Sequence, residues 1–366
     1  TLRSARLVTS FGALCVSLTL LVGASAPVSA FEIFGIRLWG EAADADAEAV
    51  IADPQPYRAS LSVNATGPVE AAVRNASALI ADQDEPASGA AGLLAKARGD
   101  YRRIIAALYN EGHYGPTVSI RVGGAEAANL APDIDLPDPV EVSIVVDPGP
   151  LFHFNAVTIV NQAPPTRDPG DQVDLPATRG LASGQVARSS VILQAEQLAL
   201  EAWRQQGYAK AAIAGRDVVA DHATRLVDVT ITVQPGRKAA FGPVAVTGAE
   251  TLDPDFLRRQ TGLVEGEEYD PDALALAKKR LDRLEVFRSA RLEAAESIGA
   301  DGLLPYNLIV QELPGRRFGV GATYSSVDGL GLEAFHLWRN LFGQAERLRL
   351  DARIASIAWP LDTDKF

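Results

Sequence analysis

The stretch GRRFGVGATYSSVDG, residues 315–329, has a glycine spacing that could hold a phosphate group. A phosphate loop needs a buried strand before its glycines and a helix directly after them, because backbone N–H groups must converge on the anion. The residues from Arg317 to Tyr324 instead alternate between two kinds of side chain, which predicts a β-strand. One side would carry Phe318, Val320, Ala322 and Tyr324, and the other Arg317, Gly319, Gly321 and Thr323. We therefore interpret the glycines as part of a strand.

The other side chains that could perform chemistry are scattered. The chain has no G-x-S-x-G motif. Asp133, Asp135 and Asp138 lack the glycine and glutamate of a calcium-binding EF-hand loop, so a solvated loop is the simpler interpretation. The four histidines are too far apart in the sequence to predict a ligand cluster, and they are His113, His153, His222 and His336. We predict no catalytic residue, no metal site and no cofactor.

The first thirty residues predict a secretory signal peptide. Arg3 and Arg6 precede the mostly apolar stretch 7–23, and Val28-Ser29-Ala30 is a small-residue cleavage site, so cleavage would follow Ala30. The alternative is a transmembrane anchor, which the polar residues inside the stretch disfavour. Cys15 is the one cysteine and lies inside this stretch, so the mature chain would have neither disulfides nor thiolate metal sites.

The net charge of −12 argues against nucleic acid as a partner, because phosphate backbones bind basic surfaces. Removal of the two leader arginines would make the chain more acidic still. Residues 31–56 include the run ADADAE and are interpreted as an acidic linker. The sequence contains no methionine, so we expect an incomplete reading frame.

Three segments of the chain close alike, which predicts an internal repeat. They are VEVSIVVDPGP (140–150), RLVDVTITVQPGR (225–237) and YNLIVQELPGRRF (306–318). A new alternating strand follows each of the first two, FNAVTIVN (154–161) and FGPVAVTG (241–248). Within the last two repeats, GLASG (180–184) matches GLVEG (262–266). Agreement in register at several places makes chance a poor explanation.

Each repeat predicts the order β-α-α-β-β, with two helices on a three-stranded sheet. In the third repeat, Asp253-Pro254 and Asp270-Pro271 fit helix starts, with aspartate as the N-cap and proline at the first position. Apolar residues of the second repeat's helix, namely Leu193, Leu198 and Trp203, are predicted to be core.

After the third repeat, the pattern predicts further strands. Residues 330–338 form one candidate, and in residues 347–354 apolar and mostly charged side chains alternate strictly. A soluble sheet with one wet face could show this pattern. After a signal peptide and a repeat array, a transmembrane barrel with apolar residues towards lipid is favoured, and its strands need about nine to eleven residues. Since an open sheet edge in lipid is costly, three strands would be only the start of a barrel.

These features resemble the Omp85 family, in which tandem POTRA domains with a polar-Pro-Gly close precede a β-barrel. The resemblance implies an α+β fold class of three POTRA domains followed by the first strands of a truncated transmembrane antiparallel β-barrel. Within the family, BamA carries five such domains and two-partner secretion transporters two, so three domains resemble the TamA group. The implied division is a signal peptide at 1–30, a linker at 31–56, POTRA domains at 57–150, 151–237 and 238–316, and the barrel start at 317–366.

The resemblance also implies a function without enzymatic chemistry. The chain would lie in the outer membrane with its POTRA domains in the periplasm, and would help to insert or secrete β-barrel or autotransporter-type clients. The implied partners are unfolded clients, an inner-membrane-anchored TamB-like protein and outer-membrane lipid. The alternatives are a periplasmic POTRA scaffold without a pore, a BamA-like member or a two-partner secretion transporter.

Two sets of residues would carry that function. Strand Arg317–Tyr324 would be the first barrel strand and one side of a lateral seam, where Gly319 and Gly321 either allow bending or only relieve crowding inside the barrel. The second strand of each POTRA domain would be an exposed edge that accepts a partner strand. Its residues are Val118, Ile120 and Val122 in the first domain, Ala211 and Ile213 in the second, and Ala290 and Leu292 in the third.

Overall fold

The computed structural model describes residues 31–33, 36–39, 53–325 and 329–357. The predicted signal peptide with its cleavage residue Ala30, and most of the predicted linker, lie outside the described residues. The chain divides into two compact bodies at Asp53. In the first body, β1 (Phe31–Ile33) and β2 (Ile36–Trp39) pair antiparallel. The second body contains everything described below.

The first repeat is a helical layer on a four-stranded sheet. The elements of this repeat are β3 (Pro54–Gln55), β4 (Tyr57–Val63), α1 (Pro68–Ala76), α2 (Ala78–Ala81), β5 (Ala87–Ser88), α3 (Gly89–Asn110), β6 (Thr117–Val122), β7 (Ala125–Glu126) and β8 (Val140–Asp147). The sheet has the order β4-β8-β6-β7, in which the last long strand, β8, lies in the centre. A separate short pair joins β3 to β5.

A buried carboxylate ties the helices of the first repeat together. Asp100, on α3, is fully buried and accepts hydrogen bonds from Ser77 Oγ at 2.6 Å and from the backbone N–H groups of Ala78 at 3.0 Å and Leu79 at 3.1 Å. Arg103 Nε donates to the same carboxylate at 2.9 Å. The carboxylate therefore satisfies the start of α2 and fixes it against α3.

The second repeat differs from the predicted two helices. A single 3₁₀ turn at Pro176–Arg179 stands where the first helix was expected. It begins at Pro176, which has no N–H group to continue a helix from the residues before it, and it ends at Gly180, whose φ angle is 99°. The other elements of the second repeat are β9 (His153–Val160), α4 (Ser189–Arg204), β10 (Ala212–Asp221) and β11 (Leu226–Gln234). The strands form a sheet of order β10-β11-β9.

The prediction of core residues on α4 was wrong for Leu193. The helix packs Ile192, Ala195 and Ala199 into the core, whereas Leu193 is 50% exposed. Leu198 and Trp203 are partly buried. Leu193 lies on the side of α4 that faces β10, near Val218 and Ala220, whereas the 3₁₀ turn lies along the other side of the helix, near Ala199 and Ala202.

The third repeat has both predicted helices. The elements of this repeat are β12 (Ala240–Thr247), α5 (Pro254–Thr261), α6 (Pro271–Asp282), β13 (Phe287–Ala294) and β14 (Leu303–Glu312). The strands form a sheet of order β12-β14-β13. Asp253 and Asp270 are N-caps, as predicted, and accept from the backbone N–H groups of Asp255 at 2.9 Å and Asp272 at 2.7 Å.

All three repeats share one sheet plan. The last long strand is central, parallel to the first and antiparallel to the second. Its alternate residues form the core, because only one face of each sheet is covered by helices. These residues are Val140, Val142, Ile144 and Val146, then Val227, Val229, Ile231 and Val233, then Leu304, Tyr306, Leu308 and Val310.

After the third repeat, β15 (Arg316–Ser325), β16 (Gly329–Arg339) and β17 (Arg347–Ile357) form an antiparallel sheet in sequence order. The predicted fold class, α+β repeats followed by the first antiparallel strands of a further sheet, is confirmed. None of the helices in the described residues is long and apolar enough to cross a membrane.

Candidate functional site

The predicted strand edge of the first repeat is blocked along part of its length. β7 pairs with its end, opposite Val122, and Ile120 is held by side chains. The Ile120 N–H group donates to Glu126 Oε1 at 3.2 Å and lies 3.3 Å from the Tyr101 hydroxyl, whose oxygen is 3.2 Å from the Ile120 carbonyl oxygen. The prediction of a free edge is therefore corrected at Ile120 and Val122, whereas Val118 has no such block in the described residues.

The side chains that block β6, namely Tyr101, Ser119 and Glu126, have well-defined charge states. Burial opposes ionisation of Glu126, but hydrogen bonds from Tyr101, from Ser119 Oγ at 2.8 Å and from the Ile120 N–H group outweigh it and hold the pKa of Glu126 below its usual value. Burial, followed by the adjacent carboxylate, raises the pKa of Tyr101 to about 12. The tyrosine stays a neutral donor and the glutamate an ionised acceptor at neutral pH.

The strands β10 and β13 each pair with one neighbour in the described residues, so each leaves one edge free. Of the predicted residues, Ala211 lies one position before β10 and is buried in the core of the second repeat, and its N–H group donates to the Tyr208 carbonyl at 3.0 Å. Ile213, Ala290 and Leu292 lie in the strands and pack partly against the cores. An incoming strand would meet the backbone of these edges rather than those side chains.

The sheet β15–β17 has two contrasting faces. One face carries apolar side chains exposed to between 42% and 73%, namely Phe318, Val320, Leu332, Leu348, Leu350 and Ile354. The opposite face carries Arg317, Thr323, Glu333, Phe335, Arg349, Asp351 and Arg353. The backbone of all predicted seam residues, Arg317 to Tyr324, lies in β15, which pairs on one side with β16.

The glycines of β15 make room for side chains on the neighbouring strand. Gly319 is directly opposite Phe335, and a Cβ atom at Gly319 would lie 2.6 Å from Phe335 Cζ. A Cβ atom at Gly321 would lie 2.9 Å from Glu333 Oε1. Of the two interpretations offered by the sequence, the geometry supports relief of crowding.

The charged face is rich in arginine at the end nearest the third repeat. The Arg349 guanidinium lies 4.3 Å from the Phe335 ring centroid and 2.8 Å from Asp351 Oδ1. Arg339 is directly opposite Arg347, and both line a cleft of about 810 Å³ between this face and the third repeat. Arg347 forms an ion pair with Glu285 of that repeat.

The turn between β16 and β17, residues 340–346, is docked on the third repeat. The Asp253 N–H group donates to the Gly343 carbonyl at 2.8 Å, and Asn340 Nδ2 donates to Thr251 Oγ1 at 2.8 Å. Ala345 packs against the core of the third repeat. The loop that precedes α5 therefore holds both the helix start and the turn.

Glu312, at the end of β14, organises that loop. Its carboxylate accepts from the backbone N–H groups of Glu250 at 2.9 Å, Thr251 at 3.1 Å and Leu252 at 3.1 Å, and from the Thr251 hydroxyl. Burial opposes ionisation of Glu312, but these bonds outweigh it and lower its pKa. A single carboxylate thus links the last strand of the third repeat to the loop that receives the turn.

The histidines serve separate local roles. His113 Nδ1 is 3.0 Å from the Gly149 carbonyl, His222 lies edge-on to Phe152, and His336 stacks on Trp338 with ring centroids 3.7 Å apart. Across the described ranges, no three His, Cys, Asp or Glu side chains are grouped to hold a metal ion. The described residues present strand edges and contrasting faces to possible partners.

No family model matches the chain. The outer membrane protein assembly factor BamA of Neisseria meningitidis serogroup B is 26% identical over 129 residues, which are 35% of this chain and 16% of that protein. The similarity therefore spans a small part of the relative.

Two solved structures of BamA are similar to parts of this chain. The POTRA3–5 structure of Haemophilus influenzae BamA is similar with a TM-score of 0.50 and 17% identity, over 71% of this chain and 96% of that one. The Haemophilus ducreyi BamA structure that lacks POTRA domains 1–3 matches with a TM-score of 0.46 and 18% identity, over 56% of this chain and 37% of that one. The chain is therefore similar in sequence to part of BamA, and its repeats have the fold of the POTRA domains in the Haemophilus influenzae structure.

Proposed function

We propose that the chain is part of an outer-membrane protein assembly or translocation factor. Its three POTRA repeats lie in the periplasm, and β15–β17 are the first strands of a transmembrane barrel. The observation that carries the proposal is the pair of contrasting faces on β15–β17, directly after the last repeat.

The dimensions of these strands support a membrane location. The three strands have 10, 11 and 11 residues, and a tilted transmembrane strand needs about nine to eleven. A run of exposed apolar side chains across three neighbouring strands is unfavourable in water, whereas lipid would cover it. The arginine-rich face would then line the lumen.

The clients that fit this arrangement are unfolded outer-membrane proteins, including autotransporter-type proteins. Their strands would add to the free edges of β10 and β13 by backbone hydrogen bonds, and the outer edge of β15 would be one side of the lateral seam. The three-repeat array supports a TamA-like member with a TamB-like partner. The domain boundaries and seam residues predicted from the sequence belong to this proposal.

A periplasmic scaffold that binds partners without forming a pore is the second candidate. It would explain the free edges of β10 and β13, and a BamA-like or two-partner secretion member would share them. The exposed apolar face of β15–β17 favours the membrane protein, because a soluble scaffold would have to leave that face in water.

A pair of arginine substitutions tests the membrane location. Val320 is 73% exposed on the apolar face, and Thr323 is exposed on the opposite face of the same strand. An arginine facing the middle of a bilayer costs about 2–4 kcal/mol, and one in the lumen far less. Val320→Arg should therefore reduce the fraction of the chain that is extracted from outer membranes and shows heat-modifiable migration, whereas Thr323→Arg should not. Equal effects, or a wild-type chain that stays soluble, would contradict the proposal.

A further inference from the structure

We propose that the cleft between the third repeat and the charged face of β15–β17 binds a phosphate-bearing anion, either a soluble phosphate ester or a phospholipid headgroup. The inference goes beyond the proposed function, because it assigns a ligand to the junction between the repeats and the last sheet. The site itself does not depend on a membrane location of β15–β17, whereas a lipid source of the phosphate rests on the proposed function.

The side chains of the cleft carry a local excess of positive charge. The cleft has a volume of about 810 Å³, and its sheet wall carries four arginines, namely Arg317, Arg339, Arg347 and Arg349. The third repeat contributes two carboxylates, Asp282 and Glu285. Four arginines against two carboxylates leave two positive charges, although the net charge of the chain is −12. This reversal of sign favours an anionic ligand.

The strand register brings the four arginines together. Arg317 and Arg349 are both directly opposite Leu337 of β16, and Arg339 is directly opposite Arg347. Leu337 and Arg339 are two residues apart, so these two rows point to the same face of the sheet, roughly 7 Å from each other. Like charges at this separation repel each other, and a bound anion would offset the repulsion.

Two of the four arginines have no carboxylate partner. Arg347 forms an ion pair with Glu285, and Arg349 forms one with Asp351. The salt bridges of the described residues include neither Arg317 nor Arg339. Their charges are therefore available to a ligand.

The surroundings of these two side chains also favour a ligand that accepts hydrogen bonds. Arg339 Nη1 donates to the Pro314 carbonyl at 3.1 Å, but Arg339 Nε is buried and has no hydrogen-bond partner within the described ranges. The Arg317 guanidinium lies 5.9 Å from the Phe335 ring centroid. Because a buried donor without an acceptor is costly, an anion that supplies acceptor oxygens would stabilise the site.

Phosphate fits a cluster of guanidinium groups better than a carboxylate does. A planar guanidinium donates two parallel hydrogen bonds to phosphate, and the several phosphate oxygens can accept from more than one arginine at once. The cleft volume lies in the range of small-molecule sites, so it has room for the group that carries the phosphate. Arg317 lies on β15, the outer strand of the sheet, so a lipid headgroup would reach it around that edge.

The test uses the full chain purified in dodecyl maltoside, a detergent without phosphate, and glycerol phosphate as the probe in titration calorimetry. We expect Arg317→Gln to weaken binding about tenfold or more, because a charge-assisted contact is lost. Arg353→Gln is the matched control, since Arg353 lies on the same face of the sheet but outside the cleft, and its side chain is 73% exposed. It should change binding by less than about twofold.

Two further variants separate a lost contact from a folding defect. Asp282 is exposed and lines the cleft, so Asp282→Asn should strengthen binding of glycerol phosphate, which a folding defect would not do. Arg317→Lys keeps the charge but loses the planar pair of donors. Its affinity should therefore lie between those of the wild-type chain and Arg317→Gln.

Mixed micelles identify the source of the phosphate. Displacement of glycerol phosphate by micelles that contain phosphatidylglycerol, but not by micelles that contain a neutral diacylglycerol, assigns the site to a lipid headgroup. Without displacement, the ligand is a soluble phosphate ester.

Three results would overturn the inference. They are no detectable binding of glycerol phosphate, equally tight binding of acetate, and equal effects of Arg317→Gln and Arg353→Gln. If the chain extracts with outer membranes in those cases, the proposed function stands without the phosphate site. A soluble chain that binds glycerol phosphate through Arg317 gives the opposite result.

Discussion

At Gly319 the missing side chain leaves the space that the Phe335 ring occupies across the strand pair. Arg349 lies over the same ring, so the ring is confined. This arrangement, in which an aromatic side chain covers a cross-strand glycine, helps to fix strand register. We therefore expect the effect of a substitution at Gly319 to depend on which residue occupies position 335.

We expect Gly319→Ala to destabilise the sheet by about 1–3 kcal/mol, because the added methyl group forces the ring to move. The double variant Gly319→Ala with Phe335→Ala should regain part of the stability that Phe335→Ala alone loses. The stabilities of the single and double variants are measured by the temperature at which the folded band converts to the unfolded band on gels. Strictly additive effects would contradict the coupling.

Asp100 is the second residue on which much local structure depends. Its carboxylate is fully buried and accepts hydrogen bonds from backbone N–H groups and from the Arg103 guanidinium. Asp100→Ala should destabilise the first repeat by about 3–5 kcal/mol, since the partners lose a buried charge-assisted acceptor. Asp82→Ala is the control, because Asp82 forms a surface pair with Lys96 worth at most about 1 kcal/mol. The urea concentration at which the first repeat becomes sensitive to protease distinguishes Asp100→Ala from Asp82→Ala.

At the scale of elements, the docked turn connects the sheet β15–β17 to the third repeat. Its backbone contact to Asp253 and side-chain contact to Thr251 both belong to the loop that Glu312 holds. Loss of the Glu312 charge should therefore loosen the turn as well as the start of α5. The free edge of β10 and the blocked edge of β6 show in the same way that neighbouring elements decide what a strand can bind.

The pH dependence of this junction follows from the lowered pKa of Glu312. A lowered pKa stabilises the folded form above the ordinary glutamate pKa of about 4.3, and this contribution is lost as the pH falls through the lower folded value. Hydrogen exchange of residues 250–253 and 340–346, corrected for its intrinsic pH dependence, should increase at acid pH in the wild-type chain. Glu312→Gln should show fast exchange already at neutral pH, whereas the exposed control Glu265→Gln should behave as wild type.

At the scale of the whole molecule, the segment that joins the first two repeats lies against the loop that follows α3. Gly149, in this segment, has a φ angle of 71°, and its N–H group donates to Asp147 Oδ1 at 3.1 Å. A Cβ atom at Gly149 would lie 2.7 Å from the Gly115 carbonyl oxygen, in the loop between α3 and β6. Because the segment that contains Gly149 leads directly into β9, this close approach of the two backbones helps to set how the second repeat follows the first.

We expect Gly149→Ala to change the distance between spin labels in the first and second repeats, because the added methyl group would displace the segment from Gly115. Gly184→Ala is the control, because Gly184 has a similar φ angle of 81° but open space around its Cβ position. Both variants carry the backbone strain of a positive φ angle, about 1 kcal/mol. Identical distance distributions in the two variants would show that the contact with Gly115 does not set the arrangement.

The sequence by itself determined the features that have a short period. Alternation of two residues predicted β15–β17 and their opposite faces, the Pro-Gly closes predicted three repeats, and Asp253 and Asp270 predicted their helix starts. These signals are local, because strand and helix periods and caps involve residues a few positions apart. The fold class could be predicted for that reason.

The tertiary structure alone decided which of the predicted edges is free. Glu126 blocks the backbone of Ile120, Leu193 is half-exposed although its neighbour Ile192 is buried, and Glu312 holds Thr251, which is 61 residues away in sequence. Contacts of this kind depend on the packing of whole elements, and no local pattern records them. The sequence therefore specified the strands, and their neighbours in space decided what each strand can bind.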